Sequence, residues 1–141
     1  MDVKIKVINP NCVPFYGREG DACLDCHASL GAGYIMIPDG SRCLVNLGFA
    51  LELPQGYEAV VRPRSGYSKL GLDVSIGTVD SNYRGELKAC VINNTKGVYC
   101  LHDLDRVCQI AIRKTEQINW VKVDELTDTN RGTNGFGSSG R

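Results

Sequence analysis

The sequence predicts an all-β domain. Its apolar residues stand in short runs, the runs end at Pro, Gly or Asn, and apolar positions at helical spacing are almost absent. With 141 residues the chain is long enough for one domain with its own core. Short strands separated in this way indicate a β-sandwich, a jelly roll or a barrel.

Four candidate strands lie in the first half of the chain. Residues 3–8 alternate apolar and polar side chains, as a half-buried strand does. Residues 34–37 are an apolar run that is followed by a Pro-Asp-Gly turn. The apolar stretch 42–53 and the stretch 57–62 are each followed by proline, which cannot continue a central strand.

Three further candidate strands and one helix complete the prediction. Residues 87–92 end at two asparagines, and residues 107–112 and 120–123 are rich in Val and Ile. Residues 65–70 are the one plausible short helix. No internal repeat and no linker is visible before the tail that begins after about Asp128.

Charge and hydropathy exclude several classes of partner. Sixteen acidic and sixteen basic residues balance, without a block of either sign, which argues against binding to nucleic acid or to a membrane. No apolar run approaches the roughly 20 residues of a membrane span. The polar start Met-Asp-Val-Lys is unlike a signal peptide. We therefore expect an intracellular protein, cytoplasmic or nuclear and not secreted.

Seven cysteines are distributed along the chain, several of them inside apolar stretches. Such residues behave as small hydrophobic side chains and stay reduced inside cells. The pair Cys23 and Cys26 has the spacing of half a zinc or redox site. A zinc site would need a second pair or two nearby histidines, and His27 and His102 are far apart in sequence. We expect free thiols.

The tail, residues 131–141, is rich in glycine and serine and carries one aromatic ring. Such a segment cannot bury enough apolar surface to fold alone, so we expect it to be mobile. Its chemistry suits closure on a polyphosphate, because Arg131 can fork onto phosphate oxygens and Phe136 can stack on a flat ring. The alternative is a plain disordered terminus.

Two internal segments carry candidate functional groups. Residues 62–67 follow a strand and present Arg64, the Ser65 hydroxyl and the Gly66 N–H, a combination that suits an anion. The alternative for that segment is a surface turn with a solvated arginine.

Residues 77–87 read as a hairpin whose tip follows Asp80. A carboxylate at such a tip can hold a water and act as general base. Tyr83 can form the floor for a sugar ring, and the hairpin backbone can read a base edge. The alternative is that Asp80 only caps the turn and Tyr83 packs in the core.

Together with residues 22–28 (Ala-Cys-Leu-Asp-Cys-His-Ala) and 105–109 (Asp-Arg-Val-Cys-Gln), these segments resemble the five ordered motifs of the trimeric deoxyuridine triphosphate nucleotidohydrolase (dUTPase) family. The resemblance implies a distorted jelly-roll-like β-barrel over residues 1–128 and a mobile arm, 129–141, that closes over the active site. It also implies a homotrimer with active sites at subunit interfaces.

The implied reaction is hydrolysis of dUTP to dUMP and pyrophosphate with Mg²⁺, which keeps uracil out of DNA and supplies dUMP for dTMP synthesis. Asp80 would activate the water and Tyr83 would pack under deoxyribose. The backbone of five residues would pair with uracil, namely Ser75, Ile76, Gly77, Thr78 and Val79.

The remaining roles implied by the resemblance concern phosphates and metal. Asp25 and Gln109 would hold Mg²⁺ mostly through waters. The phosphates would contact Arg64, Ser65, Gly66 and Gln109, with Ser65 near the scissile position. Phe136 would stack on uracil, and the γ-phosphate would be clasped by Arg131, Gly137, Ser138 and Ser139.

Four residues depart from the family pattern. Cys23 and Leu104 stand where glycine is common, so a positive φ at either would be strained. Cys26 replaces leucine, and Ile76 replaces a small residue beside the base-reading backbone.

Two alternatives to hydrolysis are a silent or moonlighting nucleotide-binding member and a dCTP deaminase of the same fold. Asp80, Tyr83 and the glycine-rich tail favour hydrolysis.

Overall fold

The computed structural model describes residues 1–135, and its elements are almost entirely strands. The strands are β1 (Lys4–Val7), β2 (Leu24–His27), β3 (Tyr34–Ile37), β4 (Arg42–Asn46), β5 (Phe49–Glu52), β6 (Tyr57–Arg62), β7 (Leu72–Val74), β8 (Gly77–Val79), β9 (Lys88–Asn93), β10 (Tyr99–His102) and β11 (Arg106–Lys114). One short helix, α1 (Ser65–Lys69), and one 3₁₀ turn (Pro10–Cys12) complete them.

The strands form small antiparallel sheets. The largest has the order β2-β11-β6-β8, and a second has the order β4-β9-β7. Two pairs, β1 with β5 and β3 with β10, extend the wall of the domain. An all-β fold is therefore confirmed.

The nine-residue strand β11 is the longest element and pairs on both sides, with β2 and with β6. Its apolar side chains point to a core that all the sheets share, where Val107, Cys108 and Ile110 are buried. The other large buried side chains include Phe49, Leu47, Leu72, Leu87, Val91 and Leu101. Burial of such side chains stabilises the fold by about 1.5–3 kcal/mol each.

Most of the predicted elements are confirmed. Strands β3 and β6 coincide with the predicted ranges, and the helix at 65–70 is α1. The candidate at 120–123 is wrong: residues 115–135 contain no strand, and Trp120 is 86% exposed. The alternation in residues 3–8 does produce β1, but Ile5 and Val7 remain exposed in this chain.

The predicted stretch 42–53 divides into β4 and β5 at Gly48. This residue has a φ of +77°, where any side chain is strained. An added Cβ would lie 2.8 Å from the Cβ of Cys12 and 2.9 Å from that of Asn9. Only glycine therefore permits the close approach of the Pro10–Cys12 turn to the start of β5.

Among residues 1–135, no helix has the length and apolar character needed to cross a membrane.

We predict that Gly48→Ala lowers the free energy of unfolding by about 3 kcal/mol, because it adds left-handed strain and overpacking. Urea unfolding measures this change. Gly97→Ala is the control, since Gly97 has no positive φ and its added Cβ meets nothing within 4 Å. Equal midpoints for the two variants would contradict the prediction.

Candidate active site

The end of β6 leads into a corner that we call the arginine corner, residues 62–66. Pro63 stops the strand, and Arg64 is extended, with φ −96° and ψ 139°, before α1 begins at Ser65. Ser65 and Gly66 are exposed at this corner, and the space beside Gly66 is open. The hydroxyl and the backbone N–H groups predicted to meet an anion are thus accessible.

Asp25 binds two arginines at this corner. Its Oδ1 accepts a hydrogen bond from Arg64 Nε at 3.0 Å, and its Oδ2 accepts one from Arg106 Nη1 at 3.2 Å. Arg64 Nη1 also donates to the backbone oxygen of Arg106 at 2.9 Å. The Asp25 side chain is only 16% exposed, so this carboxylate fixes both guanidinium groups in place.

Gln109 completes the corner from β11. In the strand register it lies opposite Asp25 on one side and Arg62 on the other. Its Nε2 donates to the backbone oxygen of Pro63 at 2.8 Å, which fixes the start of the corner. The structure therefore brings five predicted residues together, namely Asp25, Arg64, Ser65, Gly66 and Gln109.

His27 lies beside this corner and was not predicted as a site residue. Its ring stacks on Phe15, with centroids 5.4 Å apart and planes inclined by 20°. Burial, followed by the charge of Arg106, lowers the pKa of His27 below its usual value. The charged form of this ring is therefore disfavoured beside the corner.

A second set of predicted site residues surrounds a cleft of about 260 Å³ beside β8. Gly77, Thr78, Val79, Asp80 and Tyr83 all line it, as predicted for the base and sugar. Since β8 is the edge strand of its sheet, its outer backbone groups have no strand partner within residues 1–135. They can pair with a flat ligand.

The predicted hairpin at residues 77–87 is only partly present. Tyr83 N donates to Asp80 O at 3.1 Å and closes a tight turn, which we call the acidic turn (residues 80–83). However, β8 pairs with β6, and residues 83–87 form no ladder with β8. The return arm is held in a different way.

Arg84 and Glu86 hold the acidic turn in place, and the sequence reasoning gave neither a role. Arg84 Nη1 donates to the backbone oxygens of Ser81 and Tyr83, at 2.7 and 2.9 Å. Glu86 Oε1 accepts a hydrogen bond from the buried N–H of Gly48 at 3.0 Å. Their presence in the matched motif was the only available signal.

Ser75 and Ile76, the other two residues predicted to pair with uracil, lie directly before β8. Ser75 N donates to Cys90 O at 3.0 Å, so that N–H is used inside the fold. Ile76 is 71% exposed. Neither lines the cleft that contains Tyr83.

The arginine corner and the acidic turn lie far apart in one chain. Val79 is the register partner of Ala59, which places Asp80 level with Glu58 near the start of β6. The arginine corner begins at Arg62, four residues further along. At about 3.3 Å per residue this gives a separation of about 13 Å along the strand.

Only part of the predicted tail site can be located. Arg131 Nε donates to the backbone oxygen of Asn134 at 3.0 Å, in a turn distant in sequence from both groups. Phe136, Gly137, Ser138 and Ser139 lie outside the described residues.

The corner fits a metal ion only in one manner. Within residues 1–135 there is no cluster of three or more His, Cys, Asp or Glu side chains able to hold an ion. Both oxygens of Asp25 already accept hydrogen bonds from arginines. A Mg²⁺ ion would therefore have to be held through its own waters and through the phosphate oxygens of a bound nucleotide.

The departures at Cys23 and Leu104 have different outcomes. Leu104 has a φ of +65°, so the turn before Asp105 does take the conformation that favours glycine. The strain at one such residue costs about 1–2 kcal/mol. Cys23 is not among the residues of the described chain with positive φ.

An all-β fold with a cationic corner suited to phosphates and a separate cleft lined by a carboxylate is typical of a protein that binds a phosphorylated ligand. Comparison with known proteins identifies the family. The dUTPase family model matches residues 3–140. This chain belongs to the dUTPase family.

The sequences of two relatives match this chain along almost its whole length. The deoxyuridine 5'-triphosphate nucleotidohydrolase of Orientia tsutsugamushi (strain Boryong) is 44% identical over 147 residues, covering 99% of each chain. The enzyme of the same name from Fusobacterium nucleatum is 42% identical over 144 residues, covering 99% of this chain and 98% of its own.

Solved structures share the fold at low identity. A mutant of the dUTPase of Staphylococcus bacteriophage 80alpha, with dUpNHpp, has a TM-score of 0.89 and 21% identity, with 99% of both chains covered. The dUTPase of phage phi11 of S. aureus, studied as a mutant for the coordination of a structural Mg(II) ion, has a TM-score of 0.80 and 19% identity over 91% of this chain and all of its own. The dUTPase fold is thereby confirmed.

We predict that Glu86→Ala lowers the free energy of unfolding by about 1–3 kcal/mol, because it leaves the buried Gly48 N–H without an acceptor. Glu86→Gln, the matched variant, keeps an acceptor oxygen and should lose less than half as much. Urea unfolding of both variants measures the difference. Equal losses would contradict the role given to this hydrogen bond.

Proposed function

We propose that this chain hydrolyses dUTP to dUMP and pyrophosphate, and so limits uracil in DNA and supplies dUMP for dTMP synthesis. The observation that carries the proposal is the cleft beside β8, where an edge strand, a carboxylate and a tyrosine ring meet. The free edge of β8 suits a uracil ring. Tyr83 suits a deoxyribose floor, and family membership supports this assignment.

In this proposal Asp80 is the general base. It is exposed at the end of the β8 cleft, and the acidic turn fixes its backbone through the Tyr83 N–H. A water hydrogen-bonded to its carboxylate attacks the α-phosphorus in line, and Asp80 takes the proton. Pyrophosphate leaves with its negative charge stabilised by the arginine corner.

The arginine corner receives the phosphates. The Ser65 hydroxyl and the Gly66 N–H are exposed beside Arg64, whose guanidinium is held in place by Asp25. Gln109 fixes the corner through Pro63. These groups supply neutral and charged hydrogen-bond donors to a polyphosphate, with Ser65 near the scissile position.

Mg²⁺ belongs to the proposal as the cofactor. Asp25 and Gln109 face each other across β2 and β11 and would hold the ion through its waters. When bound, the ion neutralises phosphate charge and orients the triphosphate.

The tail, residues 129–141, is proposed to close over the bound nucleotide. Phe136 stacks on uracil, while Arg131, Gly137, Ser138 and Ser139 clasp the γ-phosphate. Closure of this kind excludes water and completes a site only around the correct ligand. A diphosphate lacks the γ-oxygens, so dUDP should be a poor substrate.

We also propose a homotrimer with active sites at subunit interfaces. The separation of the acidic turn from the arginine corner supports it, because one chain does not join the two groups. Residues 115–135 expose large apolar side chains, including Trp120 at 86%, Val121 at 82% and Leu126 at 87%. An apolar groove of about 410 Å³ beside Ile5 and Leu24 offers a place for such side chains from a second copy.

An intracellular location, cytoplasmic or nuclear, completes the proposal. It is supported by the cysteines, all of which lie within residues 1–135 and are free thiols. Free thiols are typical of reducing compartments.

The first experiment measures pyrophosphate release from dUTP, dTTP, dCTP and UTP, with and without Mg²⁺. We expect turnover of dUTP alone. Asp80→Asn should lower it by about 10²–10⁴-fold, the usual contribution of a general base. Asp2→Asn is the control, since Asp2 is exposed and far from the cleft in sequence.

The same assay separates the competing functions. Ammonia released from dCTP would indicate a deaminase. A folded wild-type protein that binds a non-hydrolysable dUTP analogue without turnover would be a regulatory member instead. Activity of Asp80→Asn equal to that of Asp2→Asn would refute the role of Asp80.

The interface site predicts complementation between two inactive variants. Asp80→Asn and Arg64→Ala are unfolded together and refolded as a mixture. With random assortment into trimers, about one quarter of the sites combine an intact Asp80 with an intact Arg64 from another chain. Recovery of that share of wild-type turnover is expected, and a mixture as inactive as its two parents would contradict a shared site.

A further inference from the structure

Tyr83 lies against a residue that has no side chain. A Cβ built on Gly85 would be 3.1 Å from Cε2 of the Tyr83 ring and 2.5 Å from Cζ, and closer still to the hydroxyl oxygen. Real Cβ atoms do not make contacts of 2.5 Å. The ring can occupy its observed position only because residue 85 is glycine.

The backbone conformation does not by itself require glycine here. Gly85 is not among the glycines with positive φ, so alanine at this position avoids the strain of the left-handed region. Its side-chain-free Cα therefore has a packing role. Apart from its chain neighbours, the three atoms nearest to an added methyl group all belong to the outer end of the Tyr83 ring.

The backbone around the ring is held on both sides. Tyr83 N donates to Asp80 O at 3.1 Å, and Tyr83 O accepts from Arg84 Nη1 at 2.9 Å. The next segment is anchored by Glu86 Oε1 on Gly48 N and by Leu87 N on Phe49 O, at 3.0 and 2.9 Å. By contrast, within residues 1–135 the hydroxyl of the ring makes one hydrogen bond to the protein, a 3.3 Å bond donated to Glu86 O.

We propose that Gly85 is a positioning residue for sugar selection: its bare Cα sets the position of the Tyr83 ring in the cleft beside β8. The inference rests on the proposed function, in which that ring is the floor for deoxyribose. An added methyl group moves the ring and leaves the anchored backbone in place. The ring then no longer packs under 2′-deoxyribose, so binding of dUTP weakens. Binding of UTP weakens less, because its ribose does not pack closely on this ring in the wild-type protein.

The test compares Gly85→Ala with the control Gly97→Ala, whose added Cβ meets nothing within 4 Å. We expect the ratio of kcat/KM for dUTP to that for UTP to fall at least tenfold in Gly85→Ala, mainly through a higher KM for dUTP. The control should keep the wild-type ratio. Both variants should have melting temperatures close to that of the wild type.

A double-variant cycle separates ring displacement from a general folding defect. In a Tyr83→Leu background the outer ring atoms that meet the new methyl group are gone. The effect of Gly85→Ala on KM for dUTP should therefore shrink to less than threefold. Equilibrium binding of dUMP to the same four proteins provides a second readout if turnover of the Tyr83→Leu variants is too low.

The outcomes distinguish the two levels of the proposal. A wild-type protein that does not hydrolyse dUTP, or does not prefer it to UTP, refutes the proposed function. A selective wild-type protein whose Gly85→Ala variant keeps the full dUTP preference refutes the role of Gly85. An effect of Gly85→Ala that is equal in the Tyr83 and Leu backgrounds also refutes it, because the methyl group would then act elsewhere.

Discussion

The pairing of β11 on both of its edges is the constraint on which the rest of the molecule depends. This strand joins β2 to β6, so Asp25 and Gln109 lie side by side in one register with Arg62, the first residue of the arginine corner. Backbone hydrogen bonds of a central strand are the part of a fold that opens least readily. The corner therefore has its geometry before any ligand arrives, and a preorganised site spends little binding energy on ordering itself.

The sequence predicted strands well where turn chemistry was explicit. The limits of β3 and β6 follow from Pro-Asp-Gly and from proline, which are local signals. The division of residues 42–53 at Gly48 was not predictable, because it arises from contact with the distant Pro10–Cys12 turn. Residues 120–123 have the composition of a strand, but within the described chain they have no strand to pair with.

The candidate site was predictable as a set of residues and not as an arrangement. The motif resemblance named Asp25, Arg64 and Gln109, and the structure brings them together through strand register. Nothing local in the sequence indicates that Arg106 would share the Asp25 carboxylate, since that contact joins residues 81 positions apart. The return arm after the acidic turn was misread for a related reason: an i,i+3 turn is local, but strand pairing is not.

The shared carboxylate of Asp25 has a consequence for the approach of ligands. The Asp25 carboxylate and the Arg64 and Arg106 guanidinium groups together carry a single positive charge, in a chain whose formal net charge is zero. Long-range attraction scales with net charge and is screened beyond about 8 Å at physiological ionic strength. Association of a nucleotide should therefore depend only weakly on salt, with discrimination left to contacts made after arrival.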